Sequence, residues 1–365
     1  MYTEILKIIE GGLAGDREKV YNYCNVLIKN LNEEGDKKLA KKIQSIVEEK
    51  RGKKLSLDSF ETSPVDIESR MEMVQVSYPT ILLEDLVLSP LLKNEIISFI
   101  SSYRLRDQLL KAGVNVENNL LLYGPPGCGK TSIAQFIANQ LNLPLLTVRL
   151  DGLVSSLLGS TAKNIHKIFD FASKRECVLF LDEFDVIAKL RDDSNELGEL
   201  KRVVNSLIQN IDMFSSDSIL IAATNHHELL DSAVWRRFNK IISLDQPNQD
   251  EIRQTIELLQ NKYNINQKFT KRELDNLCKA LLKRSYSDIE TIFNNAVKSC
   301  ILNSCELDYS YIIKEIYCYT YHTIVDEQVI RFLLQNEVSI RNINKLFGYS
   351  IRQIQKISSG LHEEN

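Results

Sequence analysis

The sequence predicts an α/β fold: a parallel sheet with helices on both faces. Three observations predict it. Gly124-Pro-Pro-Gly-Cys-Gly-Lys-Thr131 fits G-x-x-x-x-G-K-[ST] and lies between an apolar run, Leu120-Leu-Leu-Tyr123, and a helical pattern, Ser132-Ile-Ala-Gln-Phe-Ile-Ala138. Cys177-Val-Leu-Phe-Leu-Asp-Glu183 is an apolar run that ends in two carboxylates, and Ser218-Ile-Leu-Ile-Ala-Ala-Thr-Asn225 is another that ends in an amide. Short, continuously apolar runs alternating with helical stretches are the pattern of strands buried on both faces.

Each element carries chemistry. The glycines of residues 124–131 let the backbone turn its N–H groups inward, and the following helix adds its positive end, which together make a phosphate cradle. Lys130 is placed to reach the β- and γ-phosphates of a nucleotide, and the Thr131 hydroxyl to ligate Mg²⁺. A strand ending in Asp182-Glu183 delivers both carboxylates to the C-terminal edge of a sheet, where ligands of such sheets bind. Asp182 is then the Mg²⁺ ligand and Glu183 the group that polarises the attacking water. Asn225, at the end of the third run, is placed to orient that water.

With Leu230-Asp-Ser-Ala-Val-Trp-Arg-Arg-Phe238 added, the chain resembles the AAA+ ATPases from about Ile81 to Ser310. The resemblance implies ATP and Mg²⁺ as ligands, a five-stranded parallel sheet in the order 5-1-4-3-2, and a helical lid. It implies a homo-oligomeric ring, usually a hexamer, completed by fingers Arg236 and Arg237 acting on the neighbouring subunit's nucleotide. It places Gly124, Pro125, Pro126, Gly127, Cys128, Gly129, Lys130, Thr131 and Ser132 around the phosphates. It sets Asp85 and Leu86, in the lead-in Pro79–Leu88, beside the adenine. Arg284-Ser-Tyr-Ser-Asp-Ile289 resembles the G-x-S-G-A-D-I segment of the lid, with Ser287 at its alanine and Tyr286 at its second glycine. Leu153–Thr161 resembles a first pore loop, with Leu157 where an aromatic usually grips substrate, followed by Leu158 and Gly159. Lys189–Leu200 has the charge of a second pore loop or of a solvated one.

At 365 residues the chain holds two or three domains. Residues 1–50 read as a three-helix bundle, with Val20, Tyr23, Leu27 and Leu31 striping its second helix. Residues 51–79 read as a linker, 80–248 as the nucleotide-binding domain, 249–323 as the lid and 324–365 as a helical extension. A single helix is expected from about Ser89 to Ala112. In the extension, Ser339–Phe347, a Gly348-Tyr-Ser350 break and Ile351–Ile357 resemble a helix-turn-helix. Arg352, Gln353 and Lys356 lie on its second helix, so residues 326–360 are a candidate DNA contact.

The net charge of −4 carries no global nucleic-acid footprint. Seven cysteines without CxxC or Cys/His metal spacing point to reduced thiols. Cys128 reads as a small filler of the phosphate loop or as an alkylation site. No apolar run reaches the ~18–20 residues of a membrane span, and no signal peptide opens the chain, so a cytoplasmic protein is expected. The leading functional expectation is an ATP-hydrolysing ring that remodels or unfolds a protein, recruited through an adaptor or working beside a separate protease. A DNA-associated ATPase in defence or replication, and a nucleotide-switched scaffold, stand beside it.

Overall fold

The computed structural model describes residues 73–116, 118–150, 158–186, 197–214, 218–263, 265, 269–322 and 325–359, with Pro64 and positions 24, 27, 28, 30 and 31. The chain divides into two compact units, Met1–Thr62 and Ser63–Asn365. In the first, the described residues are helical, and Leu27 and Leu31 are buried with Ile28 packed on them. The rest of the expected three-helix bundle lies outside the described residues.

The second unit is built on a mixed six-stranded sheet. Its strands are β1 (Gln75–Ser77), β2 (Asn119–Tyr123), β3 (Leu145–Arg149), β4 (Val178–Asp182), β5 (Ile219–Thr224) and β6 (Lys240–Ser243). They lie in the order β1-β3-β4-β5-β2-β6. Strands β2 to β6 pair in parallel, and β1 joins antiparallel to β3, with Val76 opposite Leu146. The sheet therefore has six strands rather than the expected five. The sixth comes from the stretch read as a linker: three residues alternate too briefly to show a strand pattern, and only the β3 edge makes one of them.

Inward residues alternate to the two faces of the sheet, as strand geometry requires. Leu121, Leu146, Val148, Leu179, Leu181, Leu220 and Ala222 enter one apolar core, with side chains from α4 (Leu158–Ser173) and α5 (Leu197–Asp212). Leu120, Leu122, Leu145, Val178, Phe180, Ile219 and Ile221 enter the other, with α1 (Pro90–Arg104) and α3 (Lys130–Leu141). The helix expected over residues 89–112 is two, α1 and α2 (Arg106–Lys111), because the chain leaves helical geometry at Leu105 (ψ 14°). Ser89 caps α1 by accepting from the Leu92 N–H, and Pro90 opens it.

The chain then becomes wholly helical: α6 (Gln249–Lys262), α7 (Lys271–Ala280), α8 (Tyr286–Leu302), α9 (Tyr309–Tyr321), α10 (Asp326–Gln335), α11 (Ile340–Phe347) and α12 (Ile351–Ser359). Capping boxes open α6, α7 and α8 at Asn248/Glu251, Thr270/Glu273 and Ser285/Asp288. One apolar cluster runs from Ile252 to Ile354, so α10–α12 share a core with the helices before them.

Candidate active site

The ends of β2, β5 and β4 are neighbours at one edge of the sheet, and their parallel sense brings three polar termini together. Residues 124–131 follow β2, Thr224-Asn225 end β5, and Asp182-Glu183 end β4. The loop at residues 124–129 is shaped by its glycines: Gly124, Gly127 and Gly129 have φ of 141°, 74° and 90°. A Cβ at Gly124 would stand 1.9 Å from the Leu244 carbonyl oxygen, so only glycine fits between β2 and the segment after β6. A Cβ at Gly129 would meet nothing within 4 Å; there the requirement is conformational.

Lys130 opens α3 and is buried, its ammonium donating to the carbonyl oxygens of Gly124 (2.7 Å) and Pro125 (2.8 Å). Burial pulls its pKa down, against Asp182 and Asp185, which push it up. A cation held over the loop, beside the unpaired N–H groups of the first helical turn, is a site for phosphate. Thr131 is exposed and Ser132 half-buried in that turn. Pro125 is half-buried and Pro126 exposed on the loop. Cys128 is buried, and burial raises its thiol pKa, which supports the filler role over the reactive one.

Asp182 and Glu183 are both half-buried. Glu183 has a left-handed backbone (φ 55°), rare for a residue with a Cβ, and its N–H donates to Asp182 Oδ1 at 2.9 Å. That turn keeps the two carboxylates adjacent at the end of β4. Two further residues hold it, which the motif reading missed. The buried Asp185 accepts from the Thr224 hydroxyl (3.2 Å), and the Phe184 N–H donates to the Ala223 carbonyl (2.8 Å). Asn225, half-buried, follows directly. The signal for Asp185 was present, since a third acid three residues beyond the end of β4 is available to brace the turn.

The lid touches the phosphate loop. Ser287 donates its N–H to the Gly127 carbonyl (3.2 Å), and a Cβ at Gly127 would stand 2.4 Å from Ser285 Oγ. Tyr286 is half-buried and hydrogen-bonds Glu251, the capping residue of α6; burial first and then that carboxylate raise its pKa. Arg284 donates to Thr320 Oγ1 (2.8 Å) and lines a cavity of about 440 Å³ with Tyr321 and Phe332, within the helical layer.

In the lead-in, Asp85 is exposed and accepts from the Leu82 N–H (2.8 Å), while Leu86 packs on the core that contains Cys128. Asn139 of α3 donates to the Ile81 carbonyl (2.8 Å), fastening this segment to the phosphate-loop helix.

The two finger candidates differ. Arg236 is exposed. Arg237 is paired within its own chain, to both oxygens of Asp212 (3.2 and 3.3 Å) and to the Ala233 carbonyl (3.0 Å). Phe238 packs edge-on against Phe184 at 5.7 Å, so the finger segment sits behind the Asp182-Glu183 turn. Of the expected pore residues, Leu157 lies outside the described residues, and Leu158 and Gly159 form the first turn of α4. Of the second charged segment, residues 197–200 open α5 and the others lie outside the described residues.

The loop, the strand order and the two carboxylates define a P-loop nucleotide-binding domain. Residues 120–246 match the ATPase family associated with various cellular activities (AAA), so the chain carries an AAA ATPase domain. An uncharacterized AAA family ATPase of Sinorhizobium fredii, y4kL, is 42% identical over 219 residues, covering 60% of this chain and 64% of its own. Proteasome-activating nucleotidase 1 of Haloferax volcanii is 36% identical over 151 residues, 40% of this chain and 37% of its own. The peroxisomal ATPase PEX6 of Saccharomyces cerevisiae is 31% identical over 208 residues, 55% of this chain and 20% of its own. The chain thus spans less than two thirds of the length of these relatives.

Proposed function

We propose that the protein is an ATP-hydrolysing motor that remodels or unfolds a protein partner in the cytoplasm, working as a homo-oligomeric ring of six subunits. The observation that carries the reading is the meeting, at one sheet edge, of a buried lysine on a glycine loop with a strained Asp-Glu turn. Lys130 and the loop N–H groups bind and orient the phosphates, so the γ-phosphate is held before reaction. Thr131 and Asp182 are hard oxygen donors. They fit Mg²⁺, which keeps several of its positions for phosphate and water and neutralises charge there. Glu183 takes the proton of the attacking water, and Asn225 orients that water.

The bond from Ser287 to Gly127 connects the phosphate loop to the lid, so a change at the loop is transmitted to the helical layer. Exposed Arg236 is the better-placed of the two arginines to reach a neighbouring subunit, since Arg237 must first leave Asp212. Relatives whose printed names are proteasome-activating nucleotidase and peroxisomal ATPase support a protein as the object of the work. Among the described residues no helix is long and apolar enough to cross a membrane, and all seven cysteines are free thiols.

The test is to isolate the Glu183→Gln protein with ATP. The reading predicts a polypeptide that stays bound to this variant, is released by the wild type on turnover, and is lost when Leu157 is replaced by Asp. Retention unaffected by either change, or an eluate that holds DNA and no polypeptide, overturns it.

A further inference from the structure

Residues 340–357 contain a repeat that the nucleotide site does not use. Ile340-Arg-Asn-Ile-Asn-Lys-Leu346 in α11 returns as Ile351-Arg-Gln-Ile-Gln-Lys-Ile357 in α12. The central isoleucine of each copy, Ile343 and Ile354, is fully buried in the helical core. The arginine lies two residues before it and the lysine two after. On a helix of 3.6 residues per turn those positions meet on the opposite side, one turn apart. Arg341, Lys345, Arg352 and Lys356 are accordingly all exposed. From Val338 to His362 the sequence has no aspartate or glutamate.

The two helices are fixed to one another. Gly348 turns left-handed (φ 74°), and its N–H donates to the Asn344 carbonyl (2.8 Å). Asn344 Nδ2 donates to the Tyr349 carbonyl (2.6 Å), and the Tyr349 hydroxyl donates to Asp326 on α10 (2.9 Å). Gln353 Oε1 accepts from the Ser350 N–H (2.9 Å), a cap that starts α12. The amide oxygen of Gln353, expected to face a base, is thus committed to the cap, and Gln355 is the exposed amide beside Arg352 and Lys356.

We propose that the outer faces of α11 and α12 form a docking surface for double-stranded DNA, with α12 in the major groove. The groove admits one helix, and α12 presents Arg352, Gln355 and half-exposed Ile351, groups suited to guanine, adenine and thymine edges. Arg341 and Lys345 on α11 meet the phosphates. A single strand is disfavoured, because it is held by exposed aromatics on which bases stack. Phe347 and Tyr349, the aromatics of this segment, are half-buried against the helical core. The inference rests on nothing in the ATPase site.

Fluorescence anisotropy of the full-length protein with a mixed-sequence duplex, across roughly 50 to 200 mM salt, tests it. Binding should weaken steeply with salt. Arg352→Glu/Lys356→Glu should weaken it at least about tenfold and reduce the salt slope by about 2, leaving ATP turnover and the melting temperature unchanged. Arg341→Glu/Lys345→Glu should act in the same direction. If charge reversal lowers the melting temperature, Arg352→Gln/Lys356→Gln decides instead. The proposal is overturned if the wild type shows no salt-dependent duplex binding, if the variants bind like wild type, or if single-stranded RNA or polyglutamate binds more tightly than duplex.

Discussion

The sheet edge and the α11–α12 face use polar side chains in opposite ways. At the edge they are drawn inward: Lys130, Asp185, Thr224 and Ser285 are buried, and each has a bond to its own chain. On α11 and α12 the central isoleucines Ile343 and Ile354 are inside and the cations outside. A buried polar group is sensitive to the loss of one atom, because its partner is left unpaired. An exposed cation contributes through charge alone and is tuned by salt. The difference teaches where single substitutions should be decisive and where only charge should count.

The largest effect is expected at Lys130. Lys130→Ala should abolish turnover and lower nucleotide affinity by about tenfold to a hundredfold, the range for a hydrogen bond to a charged group; titration with a fluorescent nucleotide measures it. An unchanged affinity would remove the lysine from the phosphate site. Next come two substitutions that set the regions side by side in thermal unfolding. Gly124→Ala forces a Cβ onto the Leu244 backbone oxygen, which no side-chain rotation relieves, and should lower the melting temperature of the whole sheet unit. Ile354→Ala empties part of the helical core and should cost about 2–5 kcal/mol. Charge reversal at Arg352 and Lys356, on the opposite side of the same helix, should cost almost nothing.

A smaller effect separates the arginines. Arg237→Ala breaks a partly exposed pair with Asp212 and should cost less than about 1 kcal/mol of stability, whereas Arg236→Ala should leave stability unchanged. Both should reduce turnover, and mixing either with Lys130→Ala subunits should recover part of it if the fingers act between subunits. No recovery on mixing would place them in their own subunit's site. The smallest effect is at Cys128. Burial holds its thiol above the usual range, so the reactive thiolate is scarce at pH 8 and forms only as pH rises through the raised pKa. Maleimide should inactivate slowly at pH 8 and faster above pH 9; rapid loss at pH 7 would contradict the filler role.

Much of the edge was legible in the sequence, because its chemistry is written as contiguous residue types. Three glycines at fixed spacing, a lysine, and acids after an apolar run each state a local backbone or charge requirement. What was not legible depends on distant partners. The edge strand Gln75–Ser77 exists only through β3, the Asp185–Thr224 bond spans two strands, and the Ser287–Gly127 bond joins the lid to the loop. The break at Leu105 is local, but nothing in residue type alone selects it, whereas the diversion of Gln353 into a cap was signalled by the Ser350-x-x-Gln353 spacing of a capping box. In the helical extension the faces were legible and the roles were not, since an exposed cation looks the same whether or not anything docks on it.

The most direct test of the central claim is paired: nucleotide affinity and phosphate release, measured on the wild type and on Glu183→Gln. A hydrolytic site with Glu183 as its base predicts unchanged ATP affinity with turnover reduced about a hundredfold or more. Normal turnover in the variant, or loss of binding together with turnover, would contradict the assignment of the Asp182-Glu183 turn.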